Sequence, residues 1–487
     1  MNDRYDVVVV GAGFGGLGAA LTAAERGARV LLLEALNYPG GCASTFRKNG
    51  CRFESGATLF SGFGPGQLFE RWTRRHGLHV EVDFIDPVVE FRAPDFRLAV
   101  PPDRDRWVDA ISQLPHASRG AVERLVQAQV EVADPLWNLL DHPERLPPLS
   151  ASAVAAHLRS LPSYLPLGRY VARPLGRFLD RWGIRPGSPL RTYLDGLCQI
   201  TIQCETARAE SPFALGTMDY YFRGTGHVRG GIGRLAWALV EAIRAAGGQV
   251  EFAHRVRRVV RSGEGWEVWA RRRRFRAERV LMNLLPQDVA GLVPAGAESP
   301  TLSRMARRVE RSWGAAMLYL LVKPPPGAGP EARHFELVAD PTEPLVGGNH
   351  VFCSISGADE TDRAPAGLRT MTVSTHVPMS ELDDASDPGA WVAATQARMR
   401  ATLQGQLPEW RVESEMTASP RTFERFTGRS RGFVGGVPRE AGLEHYLSLF
   451  PRPVLRDLWL VGDSVFPGQS TLATAIGGQR TATAALR

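Results

Sequence analysis

The sequence is poor in cysteine. Its 487 residues include five cysteines, and none of them forms a Cys-x-x-Cys pair or has the spacing of zinc ligands. Cys198 and Cys204 lie six positions apart, which favours core residues over a redox pair. We therefore expect no metal site, and the sparse cysteine content is typical of a reducing cytoplasm.

Long apolar runs and a strong charge of one sign are absent too. No stretch reaches the roughly 18 uninterrupted apolar residues of a membrane-spanning helix. The net charge is +7, and this diffuse excess, without a nucleic-acid motif, predicts no nucleic-acid partner. We expect a cytoplasmic protein and leave open a contact with the anionic surface of the cytoplasmic membrane. The sequence does not indicate an oligomeric state.

A Rossmann-type unit is predicted at the start of the chain. The β-branched run at 6–10 is typical of a strand buried on both faces of a parallel sheet. A helix is predicted to about Arg26 and ends at Gly27, and a second strand at 29–33 ends in Glu34. This order of strand, turn, helix, strand and acid predicts a dinucleotide site.

Each glycine of the turn is explained by the space or the backbone conformation that its position requires. Gly11 permits the tight turn, Gly13 lets the backbone approach a pyrophosphate, and Gly16 allows the helix to pack closely on the strand. The phosphates lie at the helix N-terminus, where free N–H groups favour anions. Glu34 accepts hydrogen bonds from ribose hydroxyls, which disfavours a ribose 2′-phosphate and therefore NADP.

Two further segments favour FAD over NAD. Residues 39–41, Pro-Gly-Gly, let the backbone pass beside a flat ligand. A short apolar strand at 457–461 ends in Gly462, which permits close approach, and Asp463, which accepts a ribityl hydroxyl. The glycines at 477–478 lie in a predicted helix, where we expect their missing side chains to leave room for a ring.

These motifs resemble the phytoene desaturase, carotenoid isomerase and retinol saturase family of FAD-dependent oxidoreductases. The resemblance is carried by residues 11–16, 34–46, 50–56, 228–234 and 461–469, so it extends over the whole chain. At 53–56 this chain has Phe-Glu-Ser-Gly where the family has Phe-Asp-x-Gly.

The resemblance implies one FAD and a set of binding residues. Val256 would meet the adenine through its backbone, Gly40 and Gly41 would lie near the isoalloxazine, and Gly462 and Asp463 would hold the ribityl chain. The full predicted set is Gly11, Gly13, Phe14, Gly16, Glu34, Ala35, Gly40, Gly41, Cys42, Ala43, Ser44, Val256, Gly462, Asp463, Gln469, Ser470 and Thr471.

The resemblance also implies a small apolar substrate, a long polyene or isoprenoid that passes a hydride to flavin. It does not separate desaturation from isomerisation. No hydrolytic triad, paired-acid motif or His-Glu-x-x-His motif is present, so the cofactor carries the chemistry. The acid–base candidates are weak: His227 precedes a glycine turn, and Arg421 lies in a segment similar to the family's flavin-facing strand.

The predicted fold class is α/β: a Rossmann-type FAD-binding domain, glutathione-reductase-like, with a second mixed α+β substrate domain. The FAD domain is discontinuous and takes residues 1–70, 220–290 and 440–487. Residues 71–219 and 291–439 form the substrate domain. Strands are expected at 250–260 and 266–280, around a glycine turn.

One segment of the substrate domain suggests a membrane contact. Ser163 to Trp182 carries four arginines at intervals of four residues, opposite aliphatic and aromatic side chains. A single helix would place them on one basic face, which suits an anionic membrane interface. The alternative is an ordinary amphipathic helix with a solvated face, broken at Pro174.

Three other questions stay open at this point. A flavin amine oxidase shares the fold, but a covalent version needs a cysteine near the C-terminus, and the last one here is Cys353. A non-enzymatic prenyl-lipid carrier, related to the GDP dissociation inhibitors, has the architecture without flavin. Because one complete dinucleotide fingerprint is present, direct reduction by NAD(P)H is not predicted, and quinone or oxygen is the expected electron acceptor.

Overall fold

The computed structural model describes residues 4–56, 58–294 and 299–487. Its strands are β1 (Arg4–Val10), β2 (Val30–Leu33), β3 (Thr45–Lys48), β4 (Cys51–Glu54), β5 (Val82–Asp83), β6 (Val89–Ala93), β7 (Phe96–Val100), β8 (His227–Val228), β9 (Gln249–Glu251), β10 (Val256–Ser262), β11 (Gly265–Ala270), β12 (Arg273–Met282), β13 (Trp313–Lys323), β14 (Arg333–Val338), β15 (His350–Ile355), β16 (Arg369–Pro378), β17 (Arg411–Ala418), β18 (Pro453–Leu455) and β19 (Leu458–Leu460).

The helices complete the element order. They are α1 (Phe14–Glu25), α2 (Leu68–His76), α3 (Arg104–Ser112), α4 (Arg119–Asp141), α5 (Ala151–Tyr164), α6 (Leu175–Trp182), α7 (Pro189–Ile202), α8 (Ser211–Thr217), α9 (Gly233–Ala245), α10 (Pro286–Leu292), α11 (Pro300–Val309), α12 (Met379–Asp384), α13 (Pro388–Gln406), α14 (Pro420–Thr427), α15 (Glu444–Leu447) and α16 (Thr471–Ala485).

The first sheet has a parallel centre with the strand order β9-β2-β1-β12-β19. The β-branched run of β1 is buried on both faces of the sheet. Helix α1 covers one face, and apolar side chains of β10, β11 and α10 cover the opposite face. Strand β12 is long, so its first half also pairs with β11 and its second half with β19. The carboxyl ends of the parallel strands meet at one edge, beside the N-terminus of α1.

The strand expected at 266–280 is divided in the structure. Residues 265–270 and 273–282 form β11 and β12, an antiparallel pair, and Arg271 between them adopts a left-handed φ of 53°. The basic run at 271–274 is therefore a hairpin turn and the beginning of β12. Periodicity alone did not reveal this turn because it contains neither glycine nor proline.

The second sheet has the order β17-β13-β16-β15-β14-β6-β7 and is antiparallel except for the β14–β6 pair. The helices α3, α4, α6, α7 and α8 supply most of the apolar core next to β6 and β7. The predicted fold class, a Rossmann-type domain with a second mixed domain, is confirmed. The domain boundaries remain a proposal; the first sheet takes its strands from 4–33, 249–282 and 453–460.

Gly478, of the pair at 477–478, serves helix packing rather than ring access. Helix α16 crosses α1 closely, and a Cβ added at Gly478 would lie 2.0 Å from the Gly15 carbonyl oxygen. A Cβ at Gly18, on the facing side of α1, would lie 2.6 Å from the Ala475 carbonyl oxygen. The two backbones are thus in contact, and neither glycine of this pair lines the cavity described below.

Ser163 to Trp182 is not one helix. Helix α5 ends at Tyr164, a 3-10 turn covers Leu165–Arg169, and α6 begins at Leu175. The expectation of four arginines on one helical face is therefore wrong, because prolines at 166 and 174 and the left-handed Ala172 interrupt the helix. Within the described ranges, none of the helices combines the length and apolar character needed to cross a bilayer.

Candidate active site

A cavity of about 790 Å³ runs from the glycine-rich turn after β1 toward the second sheet. All but two of the predicted cofactor-binding residues line it. The lining members are Gly11, Gly13, Phe14, Glu34, Ala35, Gly40, Gly41, Cys42, Ala43, Val256, Gly462, Asp463, Gln469, Ser470 and Thr471. Segments distant in the sequence therefore meet at one site.

The two exceptions lie just behind the wall. A Cβ at Gly16 would lie 1.9 Å from the Gly11 carbonyl oxygen, so Gly16 lets α1 pack against the turn. The hydroxyl oxygens of Ser44 and Ser55 are 2.9 Å apart, and Ser44 is buried. These two residues shape the site from outside the cavity.

The cradle at the turn fits a dinucleotide. Helix α1 begins at Phe14 with Gly13 as its N-cap, and its N-terminus opens on the cavity, as an anion site requires. A Cβ at Gly13 would lie 2.7 Å from Asn283 Nδ2, and one at Gly462 would lie 2.7 Å from Asn283 Oδ1. Asn283, at the end of β12, thus closes the floor between the two glycine segments.

Glu34 is held in place by the backbone. Its two carboxylate oxygens accept hydrogen bonds from the backbone N–H groups of Ala12 and Leu36, each at 2.7 Å. Burial raises the pKa of Glu34, while these hydrogen bonds act in the opposite direction. Each carboxylate oxygen has a further lone pair, so the side chain can still accept a hydroxyl from a ligand in the cavity.

Asp463 is paired with a cation that sequence reasoning missed. Arg429, which follows α14, donates from Nη2 to Asp463 at 2.8 Å and from Nε to the Phe433 carbonyl at 2.6 Å. Burial acts to lower the pKa of Arg429, but the charges of Asp463 and Cys42 outweigh it and raise that pKa. A fixed cation on the cavity wall suits an anionic group of a ligand.

The rest of the cavity wall is mainly apolar. Helices α4, α7 and α8 and strands β13 and β15 contribute to it. The apolar lining includes Leu136, Leu140, Ile202, Phe213, Met317 and Phe352. Such a surface buries hydrocarbon and excludes water.

The two catalytic candidates lie outside this cavity. His227 is buried in the contact between β8 and the loop after β15, where its Nε2 is 3.0 Å from Glu360 Oε2. Arg421 is exposed at the beginning of α14. Their positions support a structural role for His227 and no contact of Arg421 with the cavity.

The chain is similar in sequence to a known domain family and to known enzymes. Residues 9–75 match the family model described as an NAD(P)-binding Rossmann-like domain. Prolycopene isomerase of Arabidopsis thaliana is 25% identical over 509 aligned residues, which cover 97% of this chain and 81% of the relative. Phytoene desaturase (neurosporene-forming) of Cereibacter sphaeroides is 36% identical over 97 residues, 19% of this chain and 18% of the relative.

The chain fits the carotenoid desaturase and isomerase family. This confirms the resemblance predicted from its motifs, and it confirms the prediction of an enzyme of the oxidoreductase or isomerase kind. Among solved structures, a double mutant of putrescine oxidase superposes with a TM-score of 0.65 at 16% identity, covering 99% of both chains. At that identity the likeness shows the fold alone.

The structure also reveals a polar patch that sequence reasoning missed. Tyr221, His350 and His376 line the apolar part of the cavity. The available signal was a charged residue inside an apolar strand: Glu336, in β14, lies between Phe335 and Leu337 and is fully buried. Its partners come from other elements, so no local pattern identifies them.

Proposed function

We propose that the protein binds one FAD and transfers hydride from a long apolar polyene or isoprenoid to it, or isomerises such a substrate. The observation that carries this proposal is the continuity of one cavity from a dinucleotide cradle to an apolar wall. Relatives with desaturase and isomerase names support the substrate class. A second substrate class is not favoured by any contact in the cavity.

The chain's own residues bind the cofactor and the substrate and orient them. The N-terminus of α1 and Arg429 face the anionic part of the ligand, Glu34 accepts the ribose hydroxyls, and Asp463 accepts a ribityl hydroxyl or orients Arg429. When bound, FAD supplies the two-electron chemistry that no side chain here provides. The apolar wall holds the hydrocarbon and keeps water from the reacting carbons.

We also propose a membrane contact, on a surface other than the 163–182 segment. One face of α5 exposes Val154, Leu158 and Leu161 at helical spacing, and Leu158 is 67% exposed. Helix α15 and its flanks expose Leu443, Leu447 and Phe450. Arg480 bonds to the carbonyls of Pro147 and Leu449, so these two surfaces lie near each other. Grouped apolar side chains of this kind mark an interface.

The proposed function is tested by mixing the purified protein with a panel of polyenes without oxygen. The flavin absorbance and the products, separated by chromatography, are followed together. Loss of flavin absorbance with a more unsaturated product is expected of a desaturase. A product of changed geometry alone, formed after pre-reduction of the flavin, is expected of an isomerase. A protein purified without flavin, or a panel without reaction, would contradict the proposal.

A further inference from the structure

A buried hydrogen-bonded group of three side chains forms part of the cavity wall. Tyr221 Oη donates to Glu336 Oε1 at 2.8 Å, and His350 Nε2 lies 3.3 Å from Glu336 Oε2. Tyr221 and His350 line the cavity, whereas Glu336 lies behind them with an exposed fraction of 0%. We call these residues the Tyr–Glu–His group.

The geometry fixes which nitrogen of His350 carries the proton. Burial, reinforced by the charge of Glu336, raises the pKa of Tyr221 well above its usual value, so Tyr221 remains a donor. A carboxylate only accepts hydrogen bonds, and therefore His350 presents N–H at Nε2 to Glu336. The lone pair is then on Nδ1, for which the described residues supply no hydrogen-bond partner.

The chain makes room for this group. A Cβ at Gly196, on α7, would lie 3.3 Å from Glu336 Oε2, 3.4 Å from His350 Nε2 and 2.8 Å from a ring carbon of Phe91. A side chain at 196 would therefore press on the carboxylate and the imidazole together. Burying a carboxylate beside an apolar cavity is costly, and such a group is a candidate for function.

The group is linked to the predicted flavin contacts through β16, because the hydroxyl of Thr375 donates a hydrogen bond to the His350 carbonyl at 2.8 Å. His376 lines the cavity on β16, and its Nδ1 is 3.4 Å from Gln199 Nε2. The next residue, Ile200, accepts a hydrogen bond at its carbonyl from Gln469 Nε2 at 3.0 Å, and Gln469 is a predicted cofactor residue. Burial lowers the pKa of His376 to about 3, so His376 stays neutral and adds no competing charge.

We propose that His350 is the catalytic base of the oxidation, with Glu336 and Tyr221 as its positioning residues. This inference rests on the proposed desaturase function. In such an oxidation one carbon of the substrate would lose hydride, with its two electrons, to the flavin when it is bound. The adjacent carbon loses a proton to His350 Nδ1, and the electron pair of that C–H bond completes the new double bond. The negative charge of the Glu336 carboxylate stabilises the imidazolium that forms, as in other histidine–carboxylate pairs.

The test compares His350→Gln, Glu336→Gln and Tyr221→Phe with the wild-type holoenzyme. The control is His334→Gln, because His334 lies on the strand next to His350, is equally buried and does not line the cavity. Single-turnover flavin reduction by a polyene should slow at least about 100-fold in His350→Gln, with the Kd for the polyene unchanged. His334→Gln should keep the wild-type rate.

A second readout does not require turnover. NMR of isotope-labelled histidine, assigned by the signal lost in His350→Gln, should show the Nε2–H tautomer in the wild type and a mixture in Glu336→Gln. Tyr193 and Cys198 of α7 and Tyr221 lie near the Glu336 carboxylate, and His376 lies near His350.

The outcomes separate the two proposals. If the wild type does not reduce its flavin with any polyene, the desaturase function fails, and the NMR tautomer still tests the Tyr–Glu–His geometry. If the wild type reacts and His350→Gln reacts within threefold of it, the base assignment is overturned. An Nδ1–H tautomer in the wild type would overturn it as well.

Discussion

Arg429 donates from Nη2 to a carboxylate oxygen of Asp463 at 2.8 Å, and this ion pair joins two parts of the cavity wall that lie 34 positions apart in the chain. Both side chains are mostly shielded from solvent. Removing one partner leaves a shielded charge without compensation, which is more costly than removing both.

The first prediction follows from this pair. Asp463→Ala should lower the free energy of unfolding by roughly 3 kcal/mol and should lower the flavin content of the purified protein. Arg429→Met in the same chain should recover much of the stability but not the flavin. Thermal unfolding and the ratio of flavin to protein absorbance measure the two effects. Asp109→Ala, exposed on α3 and outside the cavity, is the control, and full flavin content in Asp463→Ala would contradict the predicted contact.

A second prediction concerns the crossing of α1 and α16. Gly478→Ala should destabilise the protein by about 1–3 kcal/mol, although alanine is the better helix former by about 1 kcal/mol. The reason is the Gly15 carbonyl oxygen, 2.0 Å from the added Cβ. Gly405→Ala on α13, where nothing lies within 4 Å, should instead be slightly stabilising. Chemical denaturation measures the free energy of unfolding of both variants. Equal changes in that free energy would refute the packing argument.

The third prediction is a pH dependence from Glu360. Burial acts to raise its pKa, but the hydrogen bond and charge of His227, with Arg363 and the Gly230 N–H, lower it to about 2. A depressed pKa stabilises the fold above the unfolded value of 4.5 and ceases to do so as the pH falls from 4.5 toward 2. Glu360→Gln should therefore lower the free energy of unfolding by about 3 kcal/mol at pH 7. Below pH 5, its melting temperature should depend less steeply on pH than that of the wild type.

For this acid dependence, exposed Glu381→Gln is the matched control and should retain the wild-type curve. A steep acid transition that persists unchanged in Glu360→Gln would mean that other carboxylates dominate.

The fourth prediction tests the exposed apolar surface of α5 and α15. Leu158→Glu with Leu447→Glu should reduce sedimentation with anionic phosphatidylglycerol liposomes several-fold at low salt, without a change in melting temperature, because both side chains are exposed. Val412→Glu with Phe426→Glu, on other exposed positions, is the control. Equal liposome binding by both double variants would exclude this surface.

Local signals made the cofactor cradle predictable. Gly11, Gly13, Gly16 and Glu34 lie within one strand–turn–helix–strand unit, so spacing was enough to predict that unit and its place beside the cavity, while their cofactor-binding roles stay predictions. The predicted helix across 163–182 was wrong because the periodic arginines outweighed the prolines at 166 and 174. The spacing of side chains does not reveal where proline interrupts the helical backbone.

The polar part of the site depends on distant pairing. Glu336 and His350 meet because β14 and β15 pair antiparallel, which places Phe352 opposite Glu336 and His350 opposite Val338. Tyr221 joins them from the segment after α8. A single sequence does not state which strand lies beside which, and so this group was found from the structure alone.

Helix α16 has a consequence for biosynthesis. Its first residues line the cavity, and its Gly478 contacts the helix that follows the first strand. While the ribosome is still making the middle of the chain, the N-terminal glycine turn lacks its contacts with Gly462 and Gly478. If the protein binds FAD as proposed, it captures the cofactor only at the end of synthesis, and ribosome-bound chains stalled before residue 471 should carry no flavin.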